Sequence, residues 1–282
     1  MSDKKNLIQR LLLFVIAVPL ILLLPLLYHF NFLMLFLTCF IVMLIATHEM
    51  HRLLVKKYKV YNWFFFAFLV FVNFVLLYFF SLIKVSFKYY CLVFLFPFFF
   101  LAVVELFISQ SKGCEKSVER ILTGTFICVY PLWFGNFFLF LTQLNNPRII
   151  VAMFFISVIC CDSLAWFFGM LFGKNNRGLV KASPKKSVAG FIGSFISAIL
   201  CTALAIYLVP KFKTQSYLRS FLIFLFTHIA ATIGDLFESI LKRDIGVKDS
   251  GSVVMGRGGI LDSIDGMLFA APTYFLLCAC LL

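Results

Sequence analysis

Charge is scarce in this chain. Only 13% of its 282 residues are charged, and Asp and Glu together number 12. Soluble globular domains carry roughly 25% charged residues, so a separate water-soluble catalytic domain is excluded, and any chemistry must be done by helix ends and short loops. Paired cysteines of the zinc type are missing as well. There are nine cysteines and no CxxC. Most of them, including Cys39, Cys91, Cys128, Cys160, Cys161, Cys201, Cys278 and Cys280, lie inside apolar runs and read as small buried hydrophobes. No internal repeat is evident, and an odd number of apolar runs argues against a simple inverted pair.

What is present is hydrophobicity, at 63% of residues. Nine apolar runs are long enough to cross a bilayer core of about 30 Å, which takes about 20 helical residues. They centre on residues 11–28, 31–47, 63–83, 91–110, 121–141, 149–171, 189–209, 220–239 and 260–282. The first has a basic flank like a signal peptide, but no small-x-small cleavage site follows, and it is read as a retained anchor. The net charge of +13 raises the question of nucleic acid, and the placement of the 25 Lys and Arg answers it. With the N-terminus cytoplasmic, Lys84, Lys88, Arg148, Lys211, Lys213 and Arg219 fall outside and the other 19 inside. That split obeys the positive-inside rule. The expectation is an all-α polytopic membrane protein of about nine transmembrane helices with a cytoplasmic N-terminus, binding membrane lipids and no nucleic acid.

Polar residues divide the chain near residue 145. Residues 1–145 form a Phe- and Leu-rich transmembrane scaffold of five expected helices; residues 146–282 carry four more, with acids, glycines and the basic loops 173–188 and 240–259. In the first half His48-Glu49-Met50-His51 resembles a zinc helix, but its histidines are three apart where the metalloprotease pattern needs four. Glu105 reads as a packed or snorkelling carboxylate. The stripe Gly190, Ser194, Ser197 and Cys201 reads as a close helix contact, within one chain or between two copies in a homodimer.

Three places in the second half carry chemistry. Asp162 lies about nine residues into its apolar run, roughly 13 Å deep, where an unpartnered carboxylate costs about 2.5–3.5 kcal/mol. The loop GKNNRGLVKASPKKS, residues 173–187, has five basic residues and no acid. Pro184 at a helix start would leave first-turn N–H groups free for an anion, with Lys185 and Lys186 beside them. Finally, GDLFESILKRDIGVKDSGSVVMGRGGILDSIDG runs from Gly234 to Gly266. Asp235, Glu238, Ser239 and Lys242 share one helix face, and Asp262 and Asp265 share another. Between them lie Lys242, Arg243, Lys248 and Arg257, with Gly256, Gly258 and Gly259 permitting a tight turn. Clustered carboxylates suit Mg²⁺ held together with substrate phosphates, and two such ions would stabilise attacking and leaving oxygens at phosphorus. The basic residues would hold the remaining phosphate charge. The residues alone point to metal-assisted phosphoryl or nucleotidyl transfer.

These motifs resemble those of the integral-membrane phosphatidate cytidylyltransferases, which make CDP-diacylglycerol. The C-terminal signature of that family is matched by Ser239, Lys242, Arg243, Lys248, Asp249, Gly258, Gly259, Asp262 and Asp265, after Gly234-Asp235-Leu236; upstream features are matched by Asp162, Gly173-Lys174 and Ser183 to Lys186. The similarity covers about residues 145–275. It implies a Mg²⁺-dependent nucleotidyltransferase in a bacterial plasma membrane, active site facing the cytoplasm, taking CTP and phosphatidic acid to CDP-diacylglycerol and pyrophosphate. By position, the resemblance makes Asp235 and Asp262 the principal metal-binding and catalytic carboxylates, joined by Lys242. Asp162, Glu238 and Asp265 become supporting metal ligands. Lys174, Ser183, Lys185, Lys186, Arg243, Lys248, Arg257, Gly258 and Gly259 become the phosphate-binding set. The chain departs from the family where Arg257 replaces a His, Ser263 an Arg, and Ser187 and Ala189 a Thr and a Glu. Three other readings stay open: a CTP-dependent lipid-alcohol kinase, an ion-coupled carrier, and an impaired relative acting as a scaffold.

Overall fold

In the computed structural model, residues 18–27, 29–83, 85, 89–209, 212, 216–254, 256 and 258–282 are described. The chain is all-α, with α1 (His29–Val55), α2 (Trp63–Leu82), α3 (Tyr90–Lys112), α4 (Ser117–Ile127), α5 (Phe134–Phe140), α6 (Pro147–Phe172), α7 (Val188–Leu208), α8 (Tyr217–Ile245) and α9 (Leu261–Leu281). Pro131, which has no N–H to give, sits in a π turn over Cys128–Trp133 that joins α4 to α5. Ser117–Gln143 therefore crosses as one span. Among the described residues, eight helical segments are long and apolar enough to cross a membrane, and they coincide with the second to ninth apolar runs. Most of the first run, residues 11–28, lies outside the described residues. The chain is an integral membrane protein, and helices are its form because lipid offers no partner to a backbone N–H or C=O.

The spans are not equal. Leu92–Ser111 is the least enclosed and Ser117–Gln143 the most. Phe64, Phe99 and Phe107 point outward where lipid would meet them. The second half packs tightly: α6 lies along α7, α7 against α8, and α8 along α9. Small residues set these distances. A Cβ at Gly234 on α8 would stand 2.6 Å from the Asp265 carbonyl, and one at Gly266 on α9 would stand 3.0 Å from the Ala231 carbonyl. The stripe on α7 is used within the chain: Gly190 faces the Ala165 carbonyl of α6, while Ser197 Oγ lies 2.9 Å from Nδ1 of the buried His228 on α8.

Helix α8 has 29 residues and is about 43 Å long at 1.5 Å per residue, against a core of about 30 Å. It is therefore longer than the apolar layer is thick. Gly246, at φ +79°, ends it. The ends of α1, α3, α6 and α8 and the starts of α2, α4, α7 and α9 gather on this side of the bundle, tied by Lys57 to Asp244, by Glu119 to Lys59 N, and by Arg243 to the Ala182 carbonyl.

Candidate active site

The α8 face expected from the i, i+3, i+7 spacing is continuous. Asp235, Glu238 and Lys242 project from it toward the start of α9, and Lys242 Nζ bridges the two helices. It donates to Glu238 Oε2 and, at 2.6 Å, to Asp262 Oδ1. Glu238 has no exposed side-chain surface, and Asp262 has 6%. A lysine between two enclosed carboxylates is what makes their burial tolerable. The other oxygen of Asp262, Oδ2, accepts from Ser250 N at 2.8 Å and Gly259 N at 2.7 Å.

One turn further along α9, Asp265 lies near Asp235, Glu238 and Asp162, the last on α6. Asp235 is paired at 2.6 Å with Lys186 of the 173–187 loop, whose Nζ also approaches the Thr232 carbonyl at 3.5 Å. Three helices and one loop thus converge on a single acidic and basic cluster.

Lys174, Lys185, Arg243 and Lys248 are exposed around this end of the bundle. Among the described residues, none of the four has a carboxylate within ion-pair distance. Arg243 Nη1 donates to the Val247 carbonyl at 3.2 Å and its Nε reaches the Ala182 carbonyl at 3.5 Å, so the two basic loops meet there. Ser183 closes a turn, its carbonyl accepting from Lys186 N. Gly258, at φ +112°, exchanges two backbone hydrogen bonds with Val254, and a Cβ on it would collide with Asp262 Oδ2. Gly258 and Gly259 therefore serve the close approach of backbone to the Asp262 carboxylate. Arg257 lies outside the described residues.

The start of α7 differs from expectation. Pro184 does not open the helix; Ser187 is its N-cap, in extended conformation, with Oγ accepting from Gly190 N at 3.1 Å. Val188 N donates to the Asn176 carbonyl and Ala189 N reaches Asn176 Oδ1 at 3.5 Å. A serine in β conformation is the better cap, and with these donors occupied the N–H groups of Val188, Ala189 and Gly190 are not free for an anion.

Sequence reasoning missed Glu49. This buried carboxylate on α1 accepts from Ile260 N at 3.1 Å, Leu261 N at 2.8 Å and Ser250 Oγ at 3.2 Å. It caps α9 from the opposite end of the chain. The neighbouring histidines, whose spacing does not suit a metal, are used in packing: His51 Nε2 pairs with the Tyr61 carbonyl at 2.9 Å and His48 packs edge-on against Trp63. Glu105 is a packed carboxylate: Arg120 Nη2 donates to it at 2.6 Å and Tyr61 Oη at 2.7 Å.

An all-oxygen set suits a hard cation such as Mg²⁺. The buried Glu238 Oε1, which has no hydrogen-bond partner among the described residues, is an acceptor that a divalent cation would engage. Among the described residues no three His, Cys, Asp or Glu side chains are drawn into one metal-sized group. Lys186 and Lys242 stand between them. A cation reaching Asp235, Glu238 or Asp262 would have to displace Lys186 and Lys242 from them first.

The model of the cytidylyltransferase family matches residues 8–281, nearly the whole chain. The chain belongs to the cytidylyltransferase family. Among its relatives, a phosphatidate cytidylyltransferase from Thermotoga maritima is 34% identical over 63% of this chain and 66% of its own length. One from Rickettsia typhi is 32% identical over 58% of this chain and 74% of its own length. One from Bacillus subtilis is 36% identical over 54% of this chain and 57% of its own length. This cytidylyltransferase-family chain thus matches between about half and three quarters of each of those relatives. In it, the gathered acids and lysines lie on α6, on α8, at the start of α9 and in the loop before α7.

Proposed function

We propose that the chain is a phosphatidate cytidylyltransferase acting at the cytoplasmic surface of a bacterial inner membrane. The observation that carries this reading is the convergence of Asp162, Asp235, Glu238, Asp262 and Asp265 with Lys186 and Lys242 at one bundle end, in a chain that matches the family over residues 8–281. In the reaction a phosphate oxygen of phosphatidate attacks the α-phosphorus of CTP. The bond to the β-phosphate breaks, pyrophosphate leaves, and CDP-diacylglycerol forms.

The nucleophile is already an anion, so no strong base is needed; the problem is the repulsion between two polyanions and their alignment. The exposed Lys174, Lys185, Arg243 and Lys248 would take up phosphate charge as CTP arrives from water. Lys186 and Lys242 hold Asp235, Glu238 and Asp262 in place through ion pairs. Mg²⁺, held by Asp162, Asp235, Glu238 and Asp265, would supply charge neutralisation at phosphorus. Phosphatidate would reach the site sideways from the bilayer.

The test is pyrophosphate release by the purified protein in detergent micelles with Mg²⁺, CTP and phosphatidate. Release that requires the lipid, yields a CDP-lipid and vanishes in Asp235→Asn is expected. CDP release with a phosphorylated lipid would instead establish a kinase, and CTP binding without turnover would mark an impaired relative.

A further inference from the structure

We infer that Glu49 of α1 is a positioning residue for the reaction centre, fixing where Asp262 and the first turn of α9 stand. The inference rests on the reading of the acid cluster as that centre. Glu49 is 4% exposed, and its two oxygens take three donors from the C-terminal half: Ile260 N, Leu261 N and Ser250 Oγ. Two of these are backbone groups at the start of α9, which have no partners inside the helix. The third belongs to Ser250, whose own N–H donates to Asp262 Oδ2. Glu49 and Asp262 therefore grip the same residue from two sides.

The fit leaves no slack. A Cβ at Gly251 or at Gly259 would run into the Glu49 carboxylate. Gly259 in turn donates its N–H to Asp262 Oδ2. Ser250 and Gly259, on either side of the glycine turn, are clamped between Glu49 and Asp262. Among the described residues Glu49 accepts from N–H and O–H donors, at a helix N-terminus whose dipole favours negative charge. Glu49 makes none of the lysine contacts of the cluster; it acts through Ser250 and the backbone.

Replacing Glu49 by Gln preserves shape but turns an NH2 group toward donors that need an acceptor. The experiment measures turnover, KM for CTP, thermal stability and amide hydrogen exchange of segment 249–262 for the full chain in micelles, unsubstituted and as Glu49→Gln. Glu105→Gln serves as a buried carboxylate outside the site. Expected for Glu49→Gln is a kcat lowered about tenfold or more with KM within about threefold, the pattern of lost transition-state alignment, together with faster exchange in 249–262. Glu105→Gln should lower the melting temperature while kcat stays within about twofold. Equal exchange and a kcat within about twofold for Glu49→Gln would overturn the inference. So would a kcat loss that Glu105→Gln reproduces. If the unsubstituted chain shows no turnover, the functional reading fails alone and the exchange comparison decides the inference. If Glu49→Gln does not fold, Ser250→Ala, which removes one donor, should give a smaller kcat fall and faster exchange, and no change in either would overturn the inference.

Discussion

Lys242 shows at the scale of one residue how a side chain expected to hold phosphate also holds the site together. Its Nζ stands between Glu238 and Asp262, both almost fully enclosed. Removing one partner from a buried ion pair costs about 3–5 kcal/mol because the remaining charge is stranded. Lys242→Met should therefore lower stability by about that much and abolish turnover, read by thermal denaturation in micelles and by pyrophosphate release. Lys185→Gln removes an exposed cation with no carboxylate near it and should leave the melting temperature unchanged while raising KM for CTP a fewfold; an unchanged KM would remove Lys185 from the phosphate-binding set. The α8 acids could be read from sequence because spacings of three and seven put them on one face. Glu49 could not, because its donors are more than 200 positions away and nothing near it in the chain announces them.

At the scale of elements, the site depends on how closely α8 approaches α9. Gly234 and Gly266 allow that approach, each facing a backbone carbonyl of the other helix. Gly234→Val should push the helices apart, separate Lys242 from Asp262 and lower kcat by an order of magnitude or more, with a stability loss of about 1–3 kcal/mol; retention of full activity would show that the gap is not set here. The start of α7 offers a second case. Ser187→Ala removes its cap, worth about 0.5–2 kcal/mol, and loosens the residue next to Lys186, so the Asp235 pair should weaken with it. Sequence reading took Pro184 as the helix start, whereas the helix opens at Val188. Proline at position N1 and serine at the cap are both valid signals, and only the three-dimensional partners Asn176 and Gly190 decide between them.

At the scale of the whole molecule, the number and placing of the described spans were readable because about 20 apolar residues have one outcome in a bilayer. The contacts between halves were not, because lipid-facing and partner-facing leucines look alike in sequence. Orientation is open to a direct check. Cys114, exposed between α3 and α4, lies at the same end as the acid cluster. A variant keeping only that cysteine should react with a membrane-impermeant maleimide in inside-out vesicles and not in right-side-out ones; the reverse pattern would invert the topology. The contact of Glu49 with the start of α9 also bears on biogenesis. As the chain is inserted, α1 enters the bilayer some 200 residues before the donors that satisfy its carboxylate have been synthesised. Until α9 arrives, that carboxylate must be held by water, lipid headgroups or the insertion machinery, so the nascent protein carries an unsatisfied polar group through some 200 residues of synthesis, and the end that bears the acid cluster closes only when the first described span and the last have found each other.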